Sequence, residues 1–188
     1  MTKPMPLVDR APDSDAQKTV KIRAALFYYA ARNYRPLIVI DECQMGSCLT
    51  DVYFLNANGM GIDCEIKVSI SDLRAEIKKS KHRHWQNARR QADGSVANYF
   101  VFCIPHELLD KARPIIEENW PFAGILTLRG DGNLSVARKM RRIHALPVPE
   151  GRRKQFALWQ ARRYTWYMHR RLTWISRQKK RFGEVHFD

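Results

Sequence analysis

Val20, Ala24, Phe27 and Ala31 recur three and four positions apart in "DAQKTVKIRAALFYYAARNY", with Ser or Asp available as caps, and predict a helix from about Asp15 to near Asn33. The period then shortens. "RPLIVIDEC", "LTDVYFLN" and "GIDCEIKVS" are short, rich in β-branched and aromatic residues, and predict three successive strands. A second helix is expected from about Ser71 through "SDLRAEIKKSKHRHW", opened by Ser71 or Asp72 and increasingly basic towards its end. The unbroken apolar run "NYFVFCIP" suits a strand buried on both faces. "HELLDKARPIIEENWP" predicts a short helix interrupted at Pro114, and "FAGILTL" and "NLSVARKM" predict two more strands joined by the turn "RGDG". Arg152 to about Lys180 predicts one helix about 40 Å long at 1.5 Å per residue.

The second and third strands place Asp51, Glu65 and Lys67 where a sheet normally carries Val or Ile. Alternation puts Asp63, Glu65, Lys67 and Ser69 on one face and Ile62, Cys64, Ile66 and Val68 on the other, which is the core face. Loop length decides what Asp51 meets, because a shift of one residue reverses every side chain. A two-residue Asn58-Gly59 turn pairs Asp51 with Ile66. A three-residue loop, Ala57-Asn58-Gly59, pairs it with Glu65, puts Gly59 at the left-handed position and avoids a carboxylate opposite an apolar side chain; this is the expected loop. Two adjacent carboxylates repel unless a cation lies between them, and hard divalent ions take such oxygen ligands. Lys67 would then lie beside the ion, able to orient a water or neutralise a phosphate. The competing reading is a solvated strand face with an ordinary ion pair.

Composition narrows the class. The 188 residues are 45% hydrophobic, enough for one domain with a full core. No run approaches the ~20 apolar residues of a membrane helix, and the start lacks a secretory pattern, so a soluble cytoplasmic protein without a membrane partner is expected. Cys43 and Cys48 with His82 and His84 do not have the spacing of a standard zinc finger, and Cys64 and Cys103 lie in apolar runs, so buried thiols are expected. The net charge is +14, and Arg138 to Phe182 alone holds fifteen Lys or Arg against one acid, Glu150, leaving the rest neutral. A positive block of that size points to a polyanion, nucleic acid before membrane.

Asp51, then thirteen residues, then Glu65-Ile66-Lys67 closing a hairpin before a helix, resembles the PD-(D/E)XK nuclease superfamily. "EIKVSISDLRAEIKKSKHRHW", "NYFVFCIPHELL", "FAGILTL" and "LPVPEGRRKQFALWQARR" are similar in order and wording to its MmcB-like DNA-repair branch and phage relatives, over about residues 18 to 163. The resemblance implies an α/β, restriction-endonuclease-like fold with a four-stranded mixed β-sheet core flanked by helices, here followed by a basic C-terminal helix. It implies Mg²⁺ or Mn²⁺ as cofactor and hydrolysis of phosphodiester bonds, in DNA more than in RNA. Asp51 and Glu65 would be metal ligands, Ile66 would add its carbonyl, and Lys67 would be the catalytic base. Many members carry an acid on the first helix. Lys18 to Asn33 has none, so that ligand is missing or is replaced by Glu42. Leu49 and Thr50 stand where Pro or Arg residues often precede the motif Asp.

The expected organisation is a loose arm over residues 1–15, a nuclease-like domain over 16–148 and a basic aromatic helical extension over 149–188 packed on the same domain. Lys78, Lys79, Lys81 and Arg83 after the motif strand, with Arg152, Arg153, Arg162, Arg163, Arg170 and Arg171 in the last helix, are the expected nucleic-acid contacts. Trp159, Tyr164, Trp166, Tyr167 and Trp174 interleave with those arginines and either stack on bases or pair helices. Leu158, Ala161, Met168, Leu172 and Ile175 should face the core or a partner. The function expected is a nuclease of DNA repair, recombination or phage DNA processing. The alternatives are a nuclease-fold adaptor that binds nucleic acid without efficient chemistry, and a homodimer formed through the last helix.

Overall fold

The computed structural model describes residues 13–34, 36–45 and 48–182, with the side chains of Ser80, Lys81 and 179–182 outside that description. Most of the expected N-terminal arm lies outside the described residues. The pattern-derived elements are largely present: α1 (Asp15–Asn33), β1 (Ile38–Met45), β2 (Cys48–Leu55), β3 (Gly61–Ile66), α2 (Ile70–Glu76), α3 (Ala88–Ala92), β4 (Tyr99–Pro105), α4 (Leu109–Asn119), β5 (Gly124–Leu128), β6 (Leu134–Arg138) and α5 (Glu150–Phe182). Ser14 starts α1 with a capping box, its hydroxyl accepting from Gln17 N while the Gln17 side chain accepts from Ser14 N.

The strands form one six-stranded mixed sheet in chain order, two strands more than the resemblance implies. β1–β2, β2–β3 and β5–β6 are antiparallel; β3–β4 and β4–β5 are parallel. A parallel neighbour needs a crossover, and α2 and α4 supply the two. Ile62, Cys64 and Ile66 face α1, where Ile22, Leu26 and Ala30 meet them. Phe100, Phe102, Ile104 and Ile125 face the other way, onto Leu73 of α2 and Ala112 and Ile116 of α4. The sheet is thus covered on both sides, and every residue of β3 is buried. The reading of Glu65 and Lys67 as a solvated face is therefore wrong: both are 3% exposed.

Three expectations are corrected. The helix after β3 stops at Glu76, and Ser69, not Ser71 or Asp72, caps it by accepting from Asp72 N. The strongly basic run that follows has little apolar face to bury; instead a 3₁₀ turn over Ser80–His84 carries His82 and Trp85 into the aromatic cluster with Phe100. Pro114 does not interrupt α4, because the N–H it lacks would have reached the carbonyl of Asp110, a solvent-exposed residue in the first turn. α3, a single turn capped by Asn87, has no apolar period to announce it.

The long connection after β6 is pinned by Asn98, wholly buried, which donates to the carbonyls of His144 and Leu146 and accepts from Gly61 N. That anchor fixes where α5 begins. Phe156 of α5 packs on Tyr53 with ring centroids 4.9 Å apart, in a cluster with Ile38, Ile40 and Leu55.

Candidate functional site

The register of the β2–β3 hairpin positions the charged residues. Val52 pairs with Cys64, Tyr53 with Asp63, Phe54 with Ile62 and Leu55 with Gly61. Asn56 N donates to Met60 O, which leaves the three-residue loop Ala57-Asn58-Gly59, with Gly59 at φ 74. The ladder pairs run no further than Val52–Cys64. Continuing them would set Asp51 opposite Glu65, as the loop argument expects, but would also turn Thr50 away from Asp63, which it reaches; the alternation of β2 therefore breaks between Thr50 and Val52, and the expected side-by-side placement of Asp51 and Glu65 does not follow from the register. One Asp51 oxygen accepts from Ile66 N at 2.7 Å, so the side chain takes the place of a ladder carbonyl at the end of β3. Asp63, on the Glu65 face, accepts from Thr50 Oγ1 at 2.9 Å.

Glu65 does not lie alone. Its Oε1 accepts from Lys67 Nζ at 2.9 Å and from Lys79 Nζ at 3.2 Å. Glu76, wholly buried one turn beyond Asp72 on α2, lies 2.8 Å from Lys67 Nζ, 2.6 Å from Lys79 Nζ and 2.8 Å from His82 Nε2. Asp72 reaches Lys67 at 3.5 Å from a more exposed position. The cluster therefore balances two buried carboxylates against two ammonium groups, with Asp72 and Lys79 opening towards solvent. Burial by itself would depress the Lys67 pKa, but the charges of Glu65 and Glu76 and their hydrogen bonds outweigh it and hold the group above the usual lysine value. A lysine so held is an ammonium at neutral pH, which stabilises anions and donates protons. With Glu65 and Glu76 beside it, Lys67 is placed to donate a hydrogen bond to an anion.

Sequence reasoning missed Glu76. Its signal was the spacing from Asp72 and to Lys79, four and three residues on, which stacks all three along one helical face. Lys79, expected on nucleic acid, is drawn into the cluster. Lys78 and Arg83 are exposed, and the Lys81 side chain lies outside the described residues. Glu42 sits in the left-handed region at φ 48 and is held by Arg23 at 3.2 Å and Arg163 at 3.5 Å. It is thus engaged with two guanidinium groups. Cys43, Cys64 and Cys103 are buried free thiols and Cys48 is half-buried.

Asp51, Glu65 and the Ile66 carbonyl are hard oxygen donors at adjoining positions. Mg²⁺ is commonly held by one or two carboxylates, completing its shell with water and substrate phosphates. The donor set fits such an ion in kind, although no group of three or more His, Cys, Asp or Glu suited to a metal exists among the described residues. A cavity of about 360 Å³ lies on the α1 face, lined by Tyr29, Tyr34, Phe54 and Met140. It is largely apolar and lies on the opposite side of the sheet from the acid–lysine cluster.

In the last helix, Arg152 donates to Gln44 O and stacks on Phe156 and Trp159, and Arg163 pairs with Asp41 at 2.6 Å. Arg162, Arg170 and Arg171 are exposed, and Arg153 is half-buried. Of the extension expected to pack on the domain, the described part does so over one stretch. Packing involves the stretch from Arg152 to Arg163; beyond it Tyr164, Trp166, Tyr167, Leu172 and Trp174 are all more than half exposed. Leu158 and Leu172, expected to face the core or a partner, are 61% and 60% exposed.

No family model matches the chain, and no curated protein matches it. Among solved structures it is similar to a protein of unknown function from Silicibacter pomeroyi, at 18% identity and a TM-score of 0.51, over 96% of this chain and 98% of that one. That likeness concerns the fold alone. Among the described residues, no helix is long and apolar enough to cross a membrane.

Proposed function

We propose that the chain is a divalent-metal-dependent nuclease acting on DNA, with Asp51 and Glu65 as the ligands of Mg²⁺ or Mn²⁺ and Lys67 as the charged assistant. The observation that supports this reading is the contact of Asp51 with the end of β3, where its oxygen accepts from Ile66 N, the residue between Glu65 and Lys67. The bound ion would supply charge stabilisation at the phosphoryl oxygen and a more acidic water. Lys67, held as an ammonium, would neutralise charge developing on the phosphate. Asp51, through Ile66 N, holds the end of β3 in place. Lys79, half-exposed on its flexible stem, would leave Glu65 and follow the substrate phosphate.

A second reading has its own observation. Glu65 is already neutralised by Lys67 and Lys79, the state expected of a nuclease-like site kept for structure in a nucleic-acid adaptor.

Asp51→Asn separates the two, because the amide oxygen can still accept from Ile66 N while the charge is gone. Linear, branched and single-stranded DNA are incubated with the wild type and the variant in Mg²⁺ or Mn²⁺. The nuclease reading expects cleavage by the wild type and a loss of at least ~100-fold in the variant, the scale of losing one charge-stabilising group. A wild type that binds but cuts no substrate, or a variant that cuts equally well, favours the adaptor.

A further inference from the structure

The face by which α5 docks does not end where the sheet ends. Arg152, Phe156, Trp159 and Arg163, spaced four, three and four residues apart, lie against β1 and β2. The same spacing carries the stripe on through Trp166 and Tyr167, Arg170, Trp174 and Arg177, so guanidinium groups and aromatic rings keep alternating beyond the domain. Trp166 is 59% exposed and Tyr167 60%. Arg170 lies over the Trp166 ring at 4.8 Å, a stacked pair in the open.

We infer that this stripe binds single-stranded nucleic acid, with Trp166 and Tyr167 stacking on unpaired bases and Arg170 and Arg177 tracking the backbone. Charge selects the ligand class: from Arg152 to Arg177 the helix carries eight Lys or Arg and no acid. An acidic polymer complements that run, whereas another copy of the same stripe would bring like charges together. The rings select the single strand. Bases in a duplex already stack on one another, whereas an unpaired base offers its π-face to an exposed ring. Position ties the stripe to the hairpin. Arg163 reaches Glu42, and Glu42 falls opposite Asp51 between the pairs Asp41–Val52 and Cys43–Thr50. The docked end of the stripe therefore meets β1, the strand that neighbours the Asp51 strand. The inference rests on the nucleic-acid part of the proposed function and is independent of cleavage.

Fluorescence anisotropy of the full chain, in EDTA to prevent cutting, compares single-stranded DNA, single-stranded RNA and duplex DNA oligonucleotides of equal length. Wild type is expected to favour the single strands, with the two arms ranking DNA against RNA. Trp166→Ala with Tyr167→Ala should lose at least tenfold in single-strand affinity and less than twofold on duplex. Trp166→Phe with Tyr167→Phe, which keeps a ring at each position, should stay within about threefold of wild type. Equal affinity for single strand and duplex overturns the inference, as does an alanine variant that binds like wild type. It is also overturned if sedimentation shows a dimer that the alanine pair dissolves without changing affinity, since the face is then a protein interface. Because cleavage is scored separately with Asp51→Asn, a chain that binds through these rings and cuts nothing loses the nuclease reading alone.

Discussion

Lys67 is nearly as buried as any apolar residue in β3, and its placement is tolerated because two carboxylates accept its charge. Removing one member of a buried pair leaves the other uncompensated, typically at ~3–5 kcal/mol. Lys67→Met should therefore lower the unfolding free energy by about 4 kcal/mol in urea titration, Lys79 retaining only part of the balance. The pH dependence has a definite sign. The folded-state pKa of Lys67 is raised, so its contribution is complete below the unfolded lysine value of about 10.4 and is lost as pH climbs through the folded value. The gap between wild type and Lys67→Met should hold from neutral pH to about pH 10 and narrow above it. A gap that narrows in the neutral range instead would show that the carboxylates do not hold the proton. For assays of chemistry, the same destabilisation makes Asp51→Asn the better control.

At the level of elements, the hairpin depends on two glycines for different reasons. Gly59 is at φ 74, a left-handed conformation that side chains other than glycine disfavour, and alanine there should cost about 1 kcal/mol. Gly61 has no such torsion, but a Cβ would stand 1.9 Å from the Tyr53 hydroxyl and 2.6 Å from its ring. Tyr53 is itself wholly buried against Phe156. Gly61→Ala must displace that ring, so it should cost about 3 kcal/mol and also loosen α5. Urea unfolding of both variants, with near-ultraviolet dichroism following the aromatic packing, checks the order; a Gly59→Ala that is the more harmful would reverse the argument. The loop was legible in the sequence because a left-handed glycine selects the three-residue form; the break of alternation between Thr50 and Val52 was not, since it shows only where Thr50 meets Asp63. The end of α2 was not legible. It depends on Lys79 finding Glu65 and Glu76, and on Trp85 finding Phe100, meetings between residues far apart in the chain.

For the whole molecule, the division between a neutral domain and a positive end separates stability from binding. Phe156 and Trp159 anchor α5, whereas residues past Arg163 are mostly exposed. Ending the chain after Arg163 should leave the melting temperature within about 3 °C, since surface segments contribute little. It should weaken nucleic-acid binding and flatten its salt dependence, by about 0.7 in the log–log slope for each single-strand phosphate that the shortened helix no longer neutralises. Melting curves and anisotropy titrations between low and moderate salt measure both effects. A large fall in melting temperature would mean that the far part of α5 supports the fold.

The chain by itself determined most of the elements, the loop of the hairpin, the core face of β3 and the location of the excess charge. All of these follow from local torsion, from side-chain period and from composition, which neighbouring residues carry within one stretch. Only the tertiary structure decided that Glu76 and Lys79 join Glu65 and Lys67, that Glu42 answers Arg23 and Arg163, and that α5 outruns the sheet that anchors it. Those outcomes depend on which charges meet once they leave water and on where a surface ends, and neither is encoded in the spacing along a single segment.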